Sequence, residues 1–590
     1  MFNIFGMLVA LLIAESARGT GALGGWIPPA AAAVAVAAVT VFLYSLASHA
    51  AERLQLSRLQ VQAALARAVP GADQMAEQDA RQREALGRYL PMLRLGADAV
   101  VLTVYLALAT YFGWVDYVAQ TWGVPRHLDI LPNLLPYLAL LAGSWLAQVR
   151  LENALHGPAW RPWGFVMFQV RANAMTIAPI VLVNAAYWAV LAYVPLVKDV
   201  REAFLYSEFV LMLALVLPVF LLMPLVVRAA LRTRPLPDGP LRRKLEDFAR
   251  RHNLRTGGLY VWETGSRHFT TAFVIGLVGP LRFVFFTDAL LRRFDDNEIL
   301  AVFAHEMGHV RHRHLWWLLA FILSFSVLLL GAEALGAMLA SPGAPLALVV
   351  GLVVYAYAVF GYVSRRFERQ ADDYAATHTS PELMAGVLLK IAQANPAALN
   401  RTGWRHFSIR QRVAELALVH HRPQVRALFD AQRRRAMLLV AAVTLGALAA
   451  LAKPVREDVV SGFATLALAQ FDQARLNNAP SDTLDTLAER TIRRAEAMAR
   501  LDREYELAAL QYRGVVETLS GRPTDALEQM AGRAREFEAA AETDAERRKW
   551  QDYALSAEAT AVATQRAKAK GTPWLDEFRE ELRKHGRQVR

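Results

Sequence analysis

Eight apolar stretches of about twenty residues constrain this chain more than any other feature. They lie near Ile27–Ser48, Ala97–Ala119, Ile130–Val149, Ala174–Val197, Ser207–Val227, Leu315–Leu339, Pro345–Val363 and Ala436–Ala452. A helix of that length matches the hydrocarbon core of a bilayer, so the chain is expected to cross a membrane about eight times. Residues 2–13 form a further short apolar segment whose charges, Glu15 and Arg18, follow it rather than precede it; that order argues against a cleaved leader. Hydrophobic residues make up 55% of the chain and its mean hydropathy is +0.23. The formal charge of +12 sits largely in arginines flanking the apolar runs. It reads as topology anchoring rather than nucleic-acid binding.

Those arginines set an expected orientation. Residues 50–94 contain seven, and the segment Ser364–Arg435 contains thirteen Lys or Arg. The positive-inside rule places these segments in the cytoplasm, and by alternation residues 228–314 as well. Residues 453–590 then fall on the opposite side. Alanine- and arginine-rich usage points to a bacterial inner membrane. The expected layout is an N-terminal membrane region at 1–227, a catalytic domain at 228–314 and a membrane hairpin at 315–363. A second catalytic segment at 364–435, a last span at 436–452 and an α-helical domain at 453–590 complete it. The last domain is a candidate for binding a protein partner.

Within residues 228–314 lies His305-Glu306-Met307-Gly308-His309, an H-E-x-x-H sequence on an expected helix. Two imidazoles four residues apart share one helical face, and Glu306 stands beside them. About 0.03 such matches are expected by chance in a chain of this composition. The chain has no cysteine, so a metal here must take His, Asp or Glu ligands. The pattern points to one Zn2+ per chain, with Glu306 as general base. Asp295 and Glu298 have the spacing of a capping box that would start this helix. Leu241–His252 reads as an amphipathic helix, and Gly258–Trp262, Phe269–Ile275 and Arg282–Thr287 as strands.

The extended motif that supplies a third histidine needs glycine at 312 and histidine at 315, but the chain has His312 and Leu315. His312 and His314 then read as interfacial basic residues. Glu368 is the better third ligand. The chain leaves His309, crosses as Leu315–Leu339, turns at Pro342–Gly343 and returns as Pro345–Val363, which restores Glu368 to the starting side. Asp372, one turn further on, can hold a ligand histidine in its tautomer.

His305–His309, the Glu368-x-x-x-Asp372 element and the hairpin between them resemble the integral-membrane zinc peptidases of the HtpX and CAAX prenyl protease type, a gluzincin family. The resemblance covers roughly Leu241 to Leu416 and implies a mainly α, polytopic membrane protein with a small αβ zincin-like catalytic domain and a helical C-terminal domain. Thr271-Ala272-Phe273 resembles the family's substrate-binding edge strand, with Thr271 where asparagine is usual. The likeness implies that substrate lies along Thr270, Thr271, Ala272 and Phe273. His406-Phe407-Ser408 through Arg412 resembles a segment that implies an oxyanion-stabilising role for His406 and a bracing role for Arg412. Phe407 replaces the usual proline.

The implied activity is hydrolysis of peptide bonds in membrane-associated or misfolded proteins. A CAAX-type processing peptidase is one alternative. A non-catalytic membrane scaffold with a vestigial metal site is another, but a vestigial site would have lost a ligand or the base. A transporter carrying the motif by chance would have to explain an apparently soluble αβ segment that ends in it.

Overall fold

The computed structural model describes residues 4–19, 27–67, 71–156, 160–265, 269–339, 344–394 and 397–584. The protein is mainly helical, and its helices group into two compact units. The first comprises 1–189, 212–332 and 339–444; the second comprises 190–211, 333–338 and 445–590.

Among the described residues five helices are long and apolar enough to cross a membrane, six if one bent pair is a single span. The five are Ile27–Ala66, Met92–Ala109, Ile130–Leu155, Ser207–Ala230 and Gln424–Leu476. The bent pair is Pro162–Met175 with Ile177–Tyr193, turned by 54°. Pro179 lies just past the bend and has no N–H for the Met175 carbonyl, which is the ordinary cause of a kink. The expected sixth and seventh spans fall in the helices His314–Leu339 and Ala344–His378. The expected turn at Pro342–Gly343 lies outside the described residues.

One expectation about these segments needs correction. The second span does not reach Ala119: its helix ends at Ala109, and Gly113 (φ +70°) starts a separate short helix, Trp114–Thr121. The apolar N-terminal segment forms a 13-residue helix, Ile4–Ser16, about 20 Å long and so too short to span. Its Met7, Ala10 and Ala14 are buried with Tyr105, Tyr137 and Trp145.

The αβ part of the first unit holds a four-stranded sheet in the order β1-β2-β4-β3. The strands are β1 (Thr233–Pro235), β2 (Gly258–Trp262), β3 (Ala272–Ile275) and β4 (Phe283–Thr287). β2 and β4 pair in parallel, and the outer pairs are antiparallel. Both faces of the two central strands are covered, so they are continuously apolar. Leu259, Val261, Val284 and Phe286 face a core shared with the helices Pro240–Arg251, Asp296–Arg311 and Ala344–His378. Tyr260, Trp262, Phe283 and Phe285 face Met223 and Val227. Strand β1 escaped the sequence reading because it has three residues and ends in proline, which only an edge strand tolerates.

The second unit is helical. Ser481–Ala499, Arg503–Leu519, Ala526–Ala539, Asp544–Lys570 and Trp574–Lys584 follow one another, with Phe471, Val515, Ala563 and Trp574 in one core. Its helices break near Asn478–Pro480 and Gly521–Pro523. Three more breaks occur, marked by the Asp502 cap, by the Thr543–Glu546 capping box and by Gly571 at φ +65°.

Candidate metal centre

The motif helix, Asp296–Arg311, starts as its sequence dictates. The Asp295 carboxylate accepts from the backbone N–H groups of Asn297 and Glu298, and Glu298 returns a bond to the Asp295 N–H. Such a cap is worth about 1 kcal/mol. The helix carries buried His305 and Glu306 against the returning helix Ala344–His378. Gly308 makes the close approach possible: a Cβ there would stand 2.9 Å from the Ala371 Cα and 3.2 Å from its carbonyl oxygen. Any larger residue would push apart the two helices that bring Glu368 to the histidines.

Three side chains converge. His305 Nε2 and His309 Nε2 are 3.3 Å apart. Glu368 places one carboxylate oxygen 3.6 Å from each of them. These atoms all lie within 4.8 Å of one another and could hold a metal ion. Ligands at about 2.0–2.1 Å from a tetrahedral metal stand roughly 3.3 Å apart. The histidine pair therefore reads as one edge of a coordination polyhedron, not as a hydrogen bond. A site of two neutral imidazoles and one carboxylate suits a divalent transition ion.

The remaining ring nitrogens are also engaged. His305 Nδ1 lies 2.9 Å from Asp372 Oδ1, on a bent approach that leaves the hydrogen bond imperfect. Arg412 forks Asp372 from behind through Nε and Nη2, at 2.7 and 2.6 Å. His309 Nδ1 meets His314 Nδ1 at 2.8 Å. His314 Nε2 meets Gln370 Oε1 at 3.0 Å, and Gln370 Nε2 meets His312 Nδ1 at 3.0 Å. With His309 Nε2 turned to the ligand set, its Nδ1–H must donate to His314. The same polarity then runs through Gln370 to His312.

The sequence reading of His314 is therefore corrected. It is buried, stacked 4.1 Å from the Phe367 ring, and not an interfacial base. The cause is a break in the helix. Arg313 takes a left-handed φ of +56°, uncommon outside glycine, and starts a new helix at His314. The motif helix does not run straight into the membrane, and His314 folds back under His309. No sequence pattern announces this turn. His312, at its edge, is half-buried and joins the same network.

Glu306 accepts a hydrogen bond from the Val274 N–H at 3.1 Å. β3 is an edge strand whose 271, 273 and 275 positions pair inward with β4, so Ala272 and Val274 present their backbone outward, toward the motif helix. Phe273 packs away from the site on Phe285. Thr271 is tied to Thr287 through both backbone groups, and Thr270 precedes the strand. His406 is half-exposed, with Nδ1 3.1 Å from Glu368 Oε2.

Charges in the cluster are unevenly shifted. Burial opposes the charged form of His305, but Asp372 and Glu368 outweigh it and raise its pKa to about 10. Burial lowers His309 to about 4 and raises Glu306 to about 7. Burial would raise Glu368 too, yet the adjacent His305 and His406 rings hold it well below the usual carboxylate range.

The profile of Peptidase family M48 matches residues 235–427. A protease HtpX homolog of Aeropyrum pernix is 32% identical over 231 residues, covering 36% of this chain and 70% of that protein. The chain belongs to peptidase family M48. This M48 metallopeptidase is also 26% identical over 212 residues to a CAAX prenyl protease 1 homolog of Oryza sativa subsp. japonica, covering 33% of the chain and 49% of the relative. The matched part thus spans about half the length of the plant protein. The crystal structure of S. mikatae Ste24p is similar at a TM-score of 0.40 and 16% identity, over 65% of this chain and 98% of that one. Five helices long and apolar enough to cross a bilayer, among the described residues, make this M48 peptidase a membrane protein.

Proposed function

We propose that the protein is a zinc endopeptidase that cuts extended segments of membrane-associated or misfolded proteins at a cytoplasm-facing site. The observation that carries this reading is the convergence of His305, His309 and Glu368 at coordination distance, with Glu306 beside them and an edge strand alongside. These three residues would hold Zn2+. When bound, zinc supplies Lewis acidity that brings a water toward a pKa of about 7. Glu306 takes the proton of the attacking water on its carboxylate and later delivers it to the leaving amine nitrogen. Asp372, held by Arg412, keeps the His305 Nε2 lone pair directed into the site. His406 swings from Glu368 to donate to the developing oxyanion. Substrate adds as a strand along Thr270–Val274, on the outward backbone of Ala272 and Val274. The arginine-rich segments support a cytoplasmic site, in a bacterial inner membrane.

The direct test is cleavage of casein, or of an unfolded membrane protein, by the purified full-length chain. A chelator abolishes turnover and stoichiometric zinc restores it. Turnover indifferent to the chelator contradicts the proposal.

Two further results are expected. His314→Phe lowers metal affinity by about 10–100-fold, because His309 loses the group that fixes its tautomer. Competition against a chromophoric chelator reads this, and wild-type affinity removes His314 from the network's function. The second concerns pH. In the metal-free protein His305 is raised to about 10 and so holds a proton at neutrality. Metal entry must expel that proton, so affinity is lost as pH falls. The apparent association constant should rise about tenfold per pH unit between roughly pH 6 and 8. A flat profile in the same competition assay rejects the protonated cluster.

A further inference from the structure

A second cavity, of about 180 Å³, lies behind the metal centre, with Asp372 and Arg412 in its wall. It far exceeds the ~10–15 Å³ that one water needs. Five arginines and four carboxylates line it. Each carboxylate already has its own arginine: Arg412 on Asp372, Arg369 on Glu415, Arg426 on Asp373 and Arg433 on Asp430. The fifth, Arg366, has no carboxylate partner among the described residues. Its guanidinium lies over the Tyr362 ring and donates only to the Tyr362 carbonyl, at 3.1 Å. The Nε–H groups of Arg366 and Arg433 are both buried and have no acceptor.

The positions of these two residues give the ligand's origin. Arg366 comes three residues after the apolar run Pro345–Val363, and Arg433 three residues before Ala436–Ala452. Both stand where an apolar run meets the segment 364–435, which puts them at headgroup level if those runs span the bilayer. A guanidinium fork with open donors matches a phosphate oxyanion, and basic pockets between membrane helices hold anionic headgroups. We propose that this cavity binds a phosphate group, carried by an anionic phospholipid, between Arg366 and Arg433. The site is separate from the peptide-bond chemistry and does not depend on it.

The test uses full-length protein in neutral detergent, with phosphatidylglycerol, phosphatidylcholine or inorganic phosphate added and bound lipid counted by native mass spectrometry. Phosphatidylglycerol is retained in preference to phosphatidylcholine. Arg366→Gln and Arg433→Gln each weaken its retention about fivefold or more. Arg434→Gln removes the same charge from an exposed neighbour and leaves retention within about twofold. Equal loss in Arg434→Gln means diffuse surface attraction and overturns the site, as does equal retention of the two lipids. Displacement of the lipid by micromolar inorganic phosphate overturns the lipid source and assigns the cavity to the free ion. If Arg366→Gln fails to fold, the Arg433 variants and the wild-type lipid comparison still decide.

Discussion

Glu306→Gln loses peptide-bond hydrolysis by about 10²–10⁴-fold, the usual yield of a positioned general base, and keeps its metal. The substitution preserves volume and the oxygen that accepts from the Val274 N–H. It removes only the ability to take a proton. The wild-type carboxyl is well suited to proton transfer, because burial raises it to about 7, close to the working pH. Parallel measurement of cleavage rate, metal per chain and thermal stability separates the alternatives. Hydrolysis at the wild-type rate removes Glu306 from the base role. Loss of metal along with rate would instead make it a ligand.

Glu368→Ala empties the centre. The carboxylate is the only anion within 3.6 Å of both histidine Nε2 atoms among the described residues, and it neutralises half the charge of a divalent ion. Without it, two imidazoles must hold the ion beside the Arg412 guanidinium, which lies 3.8 Å from the Glu368 carboxylate. Metal affinity should fall by about 100-fold or more, beyond what loss of an outer partner costs, and turnover should fall with it. The Arg412–Asp372 fork should persist and keep the fold, so the variant's far-ultraviolet circular dichroism matches wild type. Full metal occupancy at the wild-type affinity excludes Glu368 from the centre.

The histidine pair, Glu306 and the helix start at Asp295 are legible in the sequence because each depends on spacing along one helix. Glu368 is legible by a topological argument, since only a two-helix excursion returns it to the histidines. Asp372 follows from being one turn beyond. His314 and Gln370 are not legible, because their roles depend on the backbone reversal at Arg313, which no glycine marks. The break at Gly113 carried a signal, a glycine inside an apolar run, that hydropathy alone overrides. Strand β1 depends on pairing with β2 and has too few residues to show a period.

If substrate docks on the outward backbone of β3 as proposed, where Glu306 already takes the Val274 N–H, a condition follows on what can be cut. A partner chain can dock there only if its own amide groups are unengaged, whereas a membrane helix keeps all of its amides bonded within itself. On that proposal unwinding comes before scission, so an intact transmembrane helix is expected to resist cutting and a frayed or damaged one to yield. The strand edge would in this way act as a gauge of how well a neighbouring protein has held its shape.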